Sequence, residues 1–251
     1  MLDLFRLHDE KEDNTVYKWL LVSGNSLDST VEKILSKIYK KVKRRELDSL
    51  LTRKLKVSDI TSQRLRRKGR IWYPLVFLDT IMKIYEELFK KDTTTLRNVI
   101  LTKIEKMKSN NSNSKPIYAV KELSETLCKI IGAHIADGTL NSSFIRITDE
   151  NQQAIYAFRS WMGEIFELDL PKVEAVKGSN EWSLTFRSKS VSRYFTKFFD
   201  IPSGMKTYTA DEPRIIKNAD LKFRKSFALG VLTFDGGLGS KPSVALCVSS
   251  R

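Results

Sequence analysis

The feature that most narrows what this chain can fold into is a repeat. Ile130-Ile131-Gly132-Ala133-His134-Ile135-Ala136-Asp137-Gly138 and Ala228-Leu229-Gly230-Val231-Leu232-Thr233-Phe234-Asp235-Gly236 lie 98 positions apart. Each is an apolar run with glycine third and Asp-Gly at its end. The neighbouring residues also correspond, from Gly138 to Thr148 in one copy and from Gly236 to Leu246 in the other. Self-similarity at a domain-sized interval means that one structural unit is begun twice.

Each run reads as a buried helix stopped by glycine, which puts each aspartate at a helix C-terminus. That end carries partial negative charge and disfavours a carboxylate. Packing two such helices together adds the repulsion between carboxylates. A divalent cation removes the conflict and supplies Lewis acidity and water activation for phosphodiester cleavage. Gly132 and Ala136, four residues apart, share a helix face that admits a second helix closely, and Gly230 holds the corresponding place in the second run.

The two runs resemble the motif helices of the LAGLIDADG homing endonucleases, and the resemblance extends from about Tyr118 to the last residue. It implies a central interface made by the two helices, with Asp137 and Asp235 holding catalytic Mg2+ or another divalent cation. It also implies a curved sheet lying in the DNA major groove. The second run departs from the pattern, with Phe234 where a small residue is usual. Gly204-Met205-Lys206 resembles a Gly-X-Lys found between the two halves of similar endonucleases. Lys206 is thereby the candidate for stabilising charge at the scissile phosphate or helping to activate water. His134, mid-helix on the interface, reads as a core histidine.

Charge points to the same class of partner. The 44 basic and 30 acidic side chains leave a net charge of +14, and the sequence pI is near 9.7. That excess suits nucleic acid or an acidic membrane surface. Fourteen basic residues fall between Lys37 and Arg70, opposed by Glu46, Asp48 and Asp59 alone. The same region carries helical spacing at Val31, Ile34, Leu35 and Ile38, then at Leu47, Leu50 and Leu51. A third helix opens at Val57-Ser58-Asp59 and a fourth at Pro74. A short helix, a tight turn and a basic helix make a helix-turn-helix pattern. Ser62, Gln63, Arg64, Arg66, Arg67 and Lys68 are then the side chains that reach base edges or phosphates.

The organisation expected is α+β. Residues 1–107 form a small all-α, helix-turn-helix-like domain, and the polar stretch 108–116, closed by Pro116, is a linker. Residues 117–220 form an αββαββα LAGLIDADG unit, and 221–251 supply the motif helix and first strand of a second, truncated unit. Within the first unit, Phe144 to Thr148 alternates as a strand, Asp149 to Phe166 is an amphipathic helix, and Lys172–Lys177 with Glu181–Arg187 forms a hairpin. Ile145, Ile147, Trp182, Leu184 and Phe186 point inward. Arg146, Thr148, Ser183, Thr185 and Arg187 point outward, where with Lys177 they suit phosphate and base contacts. A plain antiparallel sheet has a polar outer face as well.

Cys128 and Cys247 make neither a disulfide framework nor a zinc site. No apolar run has the length of a membrane span and the N-terminus is charged, so an intracellular, reducing location is expected. The short second unit leaves three readings: a fragment of a longer protein, a decayed second half, or a second chain that completes it. The function expected is metal-dependent, site-specific cleavage of double-stranded DNA. The alternative is a decayed relative that acts as a DNA-binding regulator.

Overall fold

The computed structural model describes residues 1–8, 18–67, 69–111, 113–204, 212–238 and 244–246. The chain is mixed α+β and divides into two compact units: Asp3–Ala119, and Val120–Arg251 together with Met1–Leu2.

The first unit is not all helical. Strand β1 (Leu20–Ser23) is followed by α1 (Leu27–Tyr39), α2 (Arg44–Leu55), α3 (Asp59–Leu65), strand β2 (Tyr73–Pro74), α4 (Leu75–Phe89), α5 (Thr94–Lys103), and strands β3 (Lys106–Ser109) and β4 (Ile117–Tyr118). The strands form one antiparallel sheet in the order β2-β1-β3-β4. The expectation of an all-α domain fails because these strands are too short to show an alternation of their own. β1 is buried along its whole length, so its residues read as an apolar run. The stretch expected as a linker instead closes the β3–β4 hairpin. Met107 and Ile117 are cross-strand partners and both are buried, and the Ser109 amide donates to Ser114 Oγ at 3.1 Å. Its polar composition is that of an exposed hairpin loop.

The second unit opens with α6 (Glu125–Asp137), whose N-cap Ser124 accepts from the Leu127 amide. Strands β5 (Gly138–Leu140) and β6 (Ile145–Asp149), helix α7 (Gln152–Phe166), strands β7 (Glu174–Ala175) and β8 (Trp182–Phe186), and helix α8 (Lys189–Phe198) come next. The antiparallel sheet runs β5-β6-β8-β7. Ile145, Ile147, Leu184 and Phe186 pack inward, and the core is completed by Phe158, Phe166, Tyr194 and Phe195. α6 is buried on almost every side, from Leu127 to His134. Burial pushes the Cys128 thiol up to about 12, with Glu125 adding to the shift, so it stays protonated and inert at neutral pH.

After the short α9 (Arg214–Lys217), α10 (Leu221–Asp235) lies along α6 in the most extensive contact between any two elements. Glycine makes this approach possible. A Cβ on Gly132 would overlap the Phe227 carbonyl oxygen, and a Cβ on Gly230 would overlap the Lys129 carbonyl oxygen. Phe227 stands 98 positions after Lys129, as Gly230 does after Gly132. The contact is therefore isologous: each helix offers the same surface to the other. Phe234 does not block it. Its ring is 9% exposed and packs edge-on against Phe158 at 6.2 Å.

The repeat continues past the helices. α10 runs into β9 (Gly236–Leu238), which pairs with β10 (Val244–Leu246), as α6 runs into the β5–β6 pair. The second copy thus carries two strands rather than the single strand expected. The two copies differ in cover: Ile131 is fully buried, whereas its counterpart Leu229 is 50% exposed.

Gly138 ends α6 without adopting a left-handed conformation; its φ is −85° and its ψ 155°, so the chain passes straight into β5. Glycine is required there because a Cβ would overlap the His134 ring.

Alanine at a helical glycine normally gains about 1 kcal/mol of propensity. Gly132→Ala and Gly230→Ala should each instead lower stability by about 1–3 kcal/mol, because backbone atoms cannot give way to the added methyl. Urea denaturation of both variants tests this, and a rise in stability for either would refute the close crossing.

Candidate acidic centre and nucleic-acid interface

The motif helices deliver both aspartates to one end of their interface. Contacts advance along the two chains together. Ser226 Oγ donates to Glu125 Oε2 at 3.3 Å, Gly230 lies on Lys129, and Gly132 lies against the Val231 amide. The helices therefore run in the same direction, and each ends on its aspartate, Asp137 or Asp235. Both carboxylates thus sit where the peptide dipoles of their own helix are unfavourable to them.

On one side the acidic centre has a further member. The Asp137 carboxyl is hydrogen-bonded to that of Asp149, the last residue of β6. Strand alternation explains the encounter. Asp149 lies on the same face as Ile145 and Ile147, and Ile147 is the partner of Gly138 in the β5–β6 ladder. A hydrogen bond between two carboxyls needs a proton on one of them. Burial, above all, raises the Asp149 pKa, and the charges of Glu150 and Glu181 act in the same direction. Hydrogen bonds with the Asn151 amide and with Asp137 oppose them. Among the described residues no three acidic, histidine or cysteine side chains come together as a metal-binding group, so the encounter is one of two carboxyls.

The sequence alone assigns Asp149 to the start of the next helix and so misses it. In the structure Asn151 is the N-cap of α7, accepting from the Gln153 and Ala154 amides. The available signal was the period-two pattern carried one step beyond Ile147. The residue 98 positions after Asp149 is Cys247, so the repeat does not duplicate the carboxyl pair.

The outward face of the sheet is polar as expected. Arg146 faces Thr185 across the β6–β8 ladder and donates from Nε to its Oγ1 at 3.1 Å, and Thr148 faces Ser183. Arg187 lies just past β8, and Lys177 is exposed in the β7–β8 turn. Thr139, opposite Arg146, and Glu174, opposite Ser183, extend this surface and were not read from the sequence. The chain leaves the edge of the sheet at Gly204, whose amide donates to the Leu140 carbonyl at 2.9 Å. Lys206 lies outside the described residues, as does Lys68. Mid-helix His134 is buried, with Phe195 edge-on at 4.9 Å.

In the first unit, α2 and α3 are joined by a three-residue turn, Lys56 to Ser58. Lys56 takes a left-handed conformation, and Ser58 caps α3 by accepting from the Thr61 amide. The structure divides the basic candidates by helical phase. Ser62 and Arg66, four apart, face inward onto α2. Ser62 Oγ donates to Asp48 Oδ1 at 3.2 Å, while the Arg66 guanidinium pairs with Asp48 and donates to the Tyr39 hydroxyl. Both side chains are thereby tied to α1 and α2. Gln63, Arg64 and Arg67 are exposed.

The chain matches no protein-family model and no curated protein. Among the described residues no helix is long and apolar enough to cross a membrane.

Because the folded-state pKa of Asp149 is raised from 3.8, the folded protein holds that proton more firmly than the unfolded chain. This contribution to stability is complete below pH 3.8 and declines as pH rises above it. Asp149→Asn, which cannot ionise, should therefore melt higher than the parent at pH 8, with the difference closing towards pH 4. Thermal melts across that range decide it. Arg66→Ala strands Asp48 and should lower stability by about 3 kcal/mol. Arg64→Ala and Arg67→Ala should stay within about 0.5 kcal/mol of the parent in the same denaturation assay.

Proposed function

We propose that the protein is a metal-dependent endonuclease of double-stranded DNA, with the fold of the LAGLIDADG homing endonucleases in its second unit. The observation that carries this reading is the isologous glycine crossing of α6 and α10, which brings two parallel helices to matched aspartate ends. The element order from α6 to α8, helix-strand-strand-helix-strand-strand-helix, supports it.

Asp137 and Asp235 would hold a divalent cation such as Mg2+. Bound there, the ion supplies Lewis acidity and activates water for hydrolysis of a phosphodiester. Asp149, at the end of β6, adds a further carboxyl beside Asp137. Arg146 stands on the outward sheet face among the hydroxyls of Thr139, Thr148, Ser183 and Thr185. That row provides one phosphate-binding cation among donors for phosphates and base edges. Lys206 keeps the role that its motif implies, charge stabilisation at the scissile phosphate. The α2–α3 pair adds affinity through Gln63, Arg64 and Arg67.

A specific asymmetry favours a second reading, a DNA-binding regulator that does not cut. Leu229 is exposed where Ile131 is covered, and Asp149 has no counterpart in the second copy. Retention of an aspartate at both helix ends favours the enzyme, since binding alone has no use for carboxylates at those positions.

Supercoiled plasmid incubated with Mg2+ should be nicked or linearised by the parent, and EDTA should stop the reaction. Asp137→Asn should abolish cleavage while leaving DNA affinity unchanged in a mobility-shift assay. Affinity itself should fall steeply with salt, by about 10³ or more between 50 and 200 mM for several phosphate contacts. Cleavage retained by Asp137→Asn refutes the catalytic assignment. Specific binding to a DNA fragment with no cleavage of that same fragment in Mg2+ selects the regulator.

A further inference from the structure

The first unit carries a second surface that DNA recognition does not use. A groove of about 490 Å³ lies between α1, α4 and α5. Its floor is aliphatic, formed by Ile34, Leu96 and Val99, and Val99 is 42% exposed. Lys33, Lys37, Lys91 and Lys103 stand around that floor. Asp92 is the one carboxylate among the described residues lining it, and it is already engaged. Its Oδ1 accepts from the Thr94 amide at 2.9 Å and from the Thr94 hydroxyl at 2.7 Å.

Helical phase places this groove away from α3. Lys33, Ile34 and Lys37 lie on one side of α1. Glu32, Ser36 and Tyr39 lie on the other, in a cavity shared with Gln63, Arg66 and Arg67. The groove therefore lies on the side of α1 turned away from α3. The groove also lacks the fork-shaped donors that read base edges and grip phosphate in two places. No arginine lines it among the described residues, and the Tyr85 ring is stacked on Phe89 at 4.4 Å rather than offered to a base.

An exposed aliphatic floor ringed by ammonium groups complements an amphipathic helix with aliphatic anchors on one face and carboxylates beside them. We infer that this groove is a docking site for an acidic amphipathic helix of a partner protein. The apolar anchors supply the affinity, and the lysines set charge selectivity and speed of association.

The probe is a fluorescein-labelled peptide of roughly 15 residues with leucine at i, i+3, i+4 and i+7 and glutamate at most other positions. Its binding to the full chain is followed by anisotropy at physiological ionic strength. The expected result is saturable binding that weakens about tenfold in Val99→Asp and, separately, in the double variant Lys33→Glu with Lys37→Glu. Both sites are exposed, and unchanged circular dichroism and melting confirm that the variants fold. A peptide of the same composition in scrambled order should bind much more weakly. Three results each overturn the inference: no binding, equal binding of the scrambled peptide, or displacement of the peptide by a short DNA duplex whose own affinity falls in the same variants. Neither Mg2+ nor Asp137 enters the measurement, so its outcome is separate from that of the cleavage assay.

Discussion

The second unit depends on the contact of two helix backbones at Gly132 and Gly230. Side chains would hold the axes of α6 and α10 apart, whereas two glycines let each helix rest on a carbonyl of the other. The approach fixes direction as well as distance, because Glu125, Lys129 and Gly132 along α6 meet Ser226, Gly230 and Val231 in step along α10. Once direction is fixed, the position of both aspartates is fixed too. The same crossing explains why α6 is buried through its middle, from Leu127 to His134 apart from Lys129, with one face taken by α10 and the rest by the sheet and its helices.

The strain at the helix ends is resolved locally on one side. Asp137 meets Asp149, and a hydrogen bond between the two carboxyls requires a proton on one of them. The chain places them together by simple means: a helix that passes into a strand without a loop, and an alternation that sends the last residue of the neighbouring strand inward. Folding the unit therefore assembles an acidic site whose members lie twelve residues apart in sequence.

Much of this was legible in the amino-acid sequence, and the reasons for success and failure are physical. The repeat revealed the paired helices because glycine and aspartate at fixed spacing have few other uses in an apolar run. The inward and outward faces of β6 and β8 were legible because one face is buried and the other is not. The first sheet was not legible. Its strands have two to four residues, and their apolar positions merge with those of the adjacent helices. Arg66 and Ser62 were read as groove contacts because composition shows charge without showing phase. The three-residue turn after α2 turns both toward Asp48 and leaves Gln63, Arg64 and Arg67 outside. The Asp149 contact was missed for a related reason, since a polar residue at a strand end reads as the start of the next helix.

The like-to-like character of the α6–α10 contact carries an evolutionary consequence. A surface that recognises its own copy would bring two separate polypeptides together at a rate set by their abundance. Joined by a covalent tether, the two copies meet at a high effective concentration that dilution cannot lower. The partnership then no longer requires the halves to stay identical. Phe234 at the position that corresponds to Ala136, and Cys247 at the one that corresponds to Asp149, are sequence divergence of the kind such a tether tolerates.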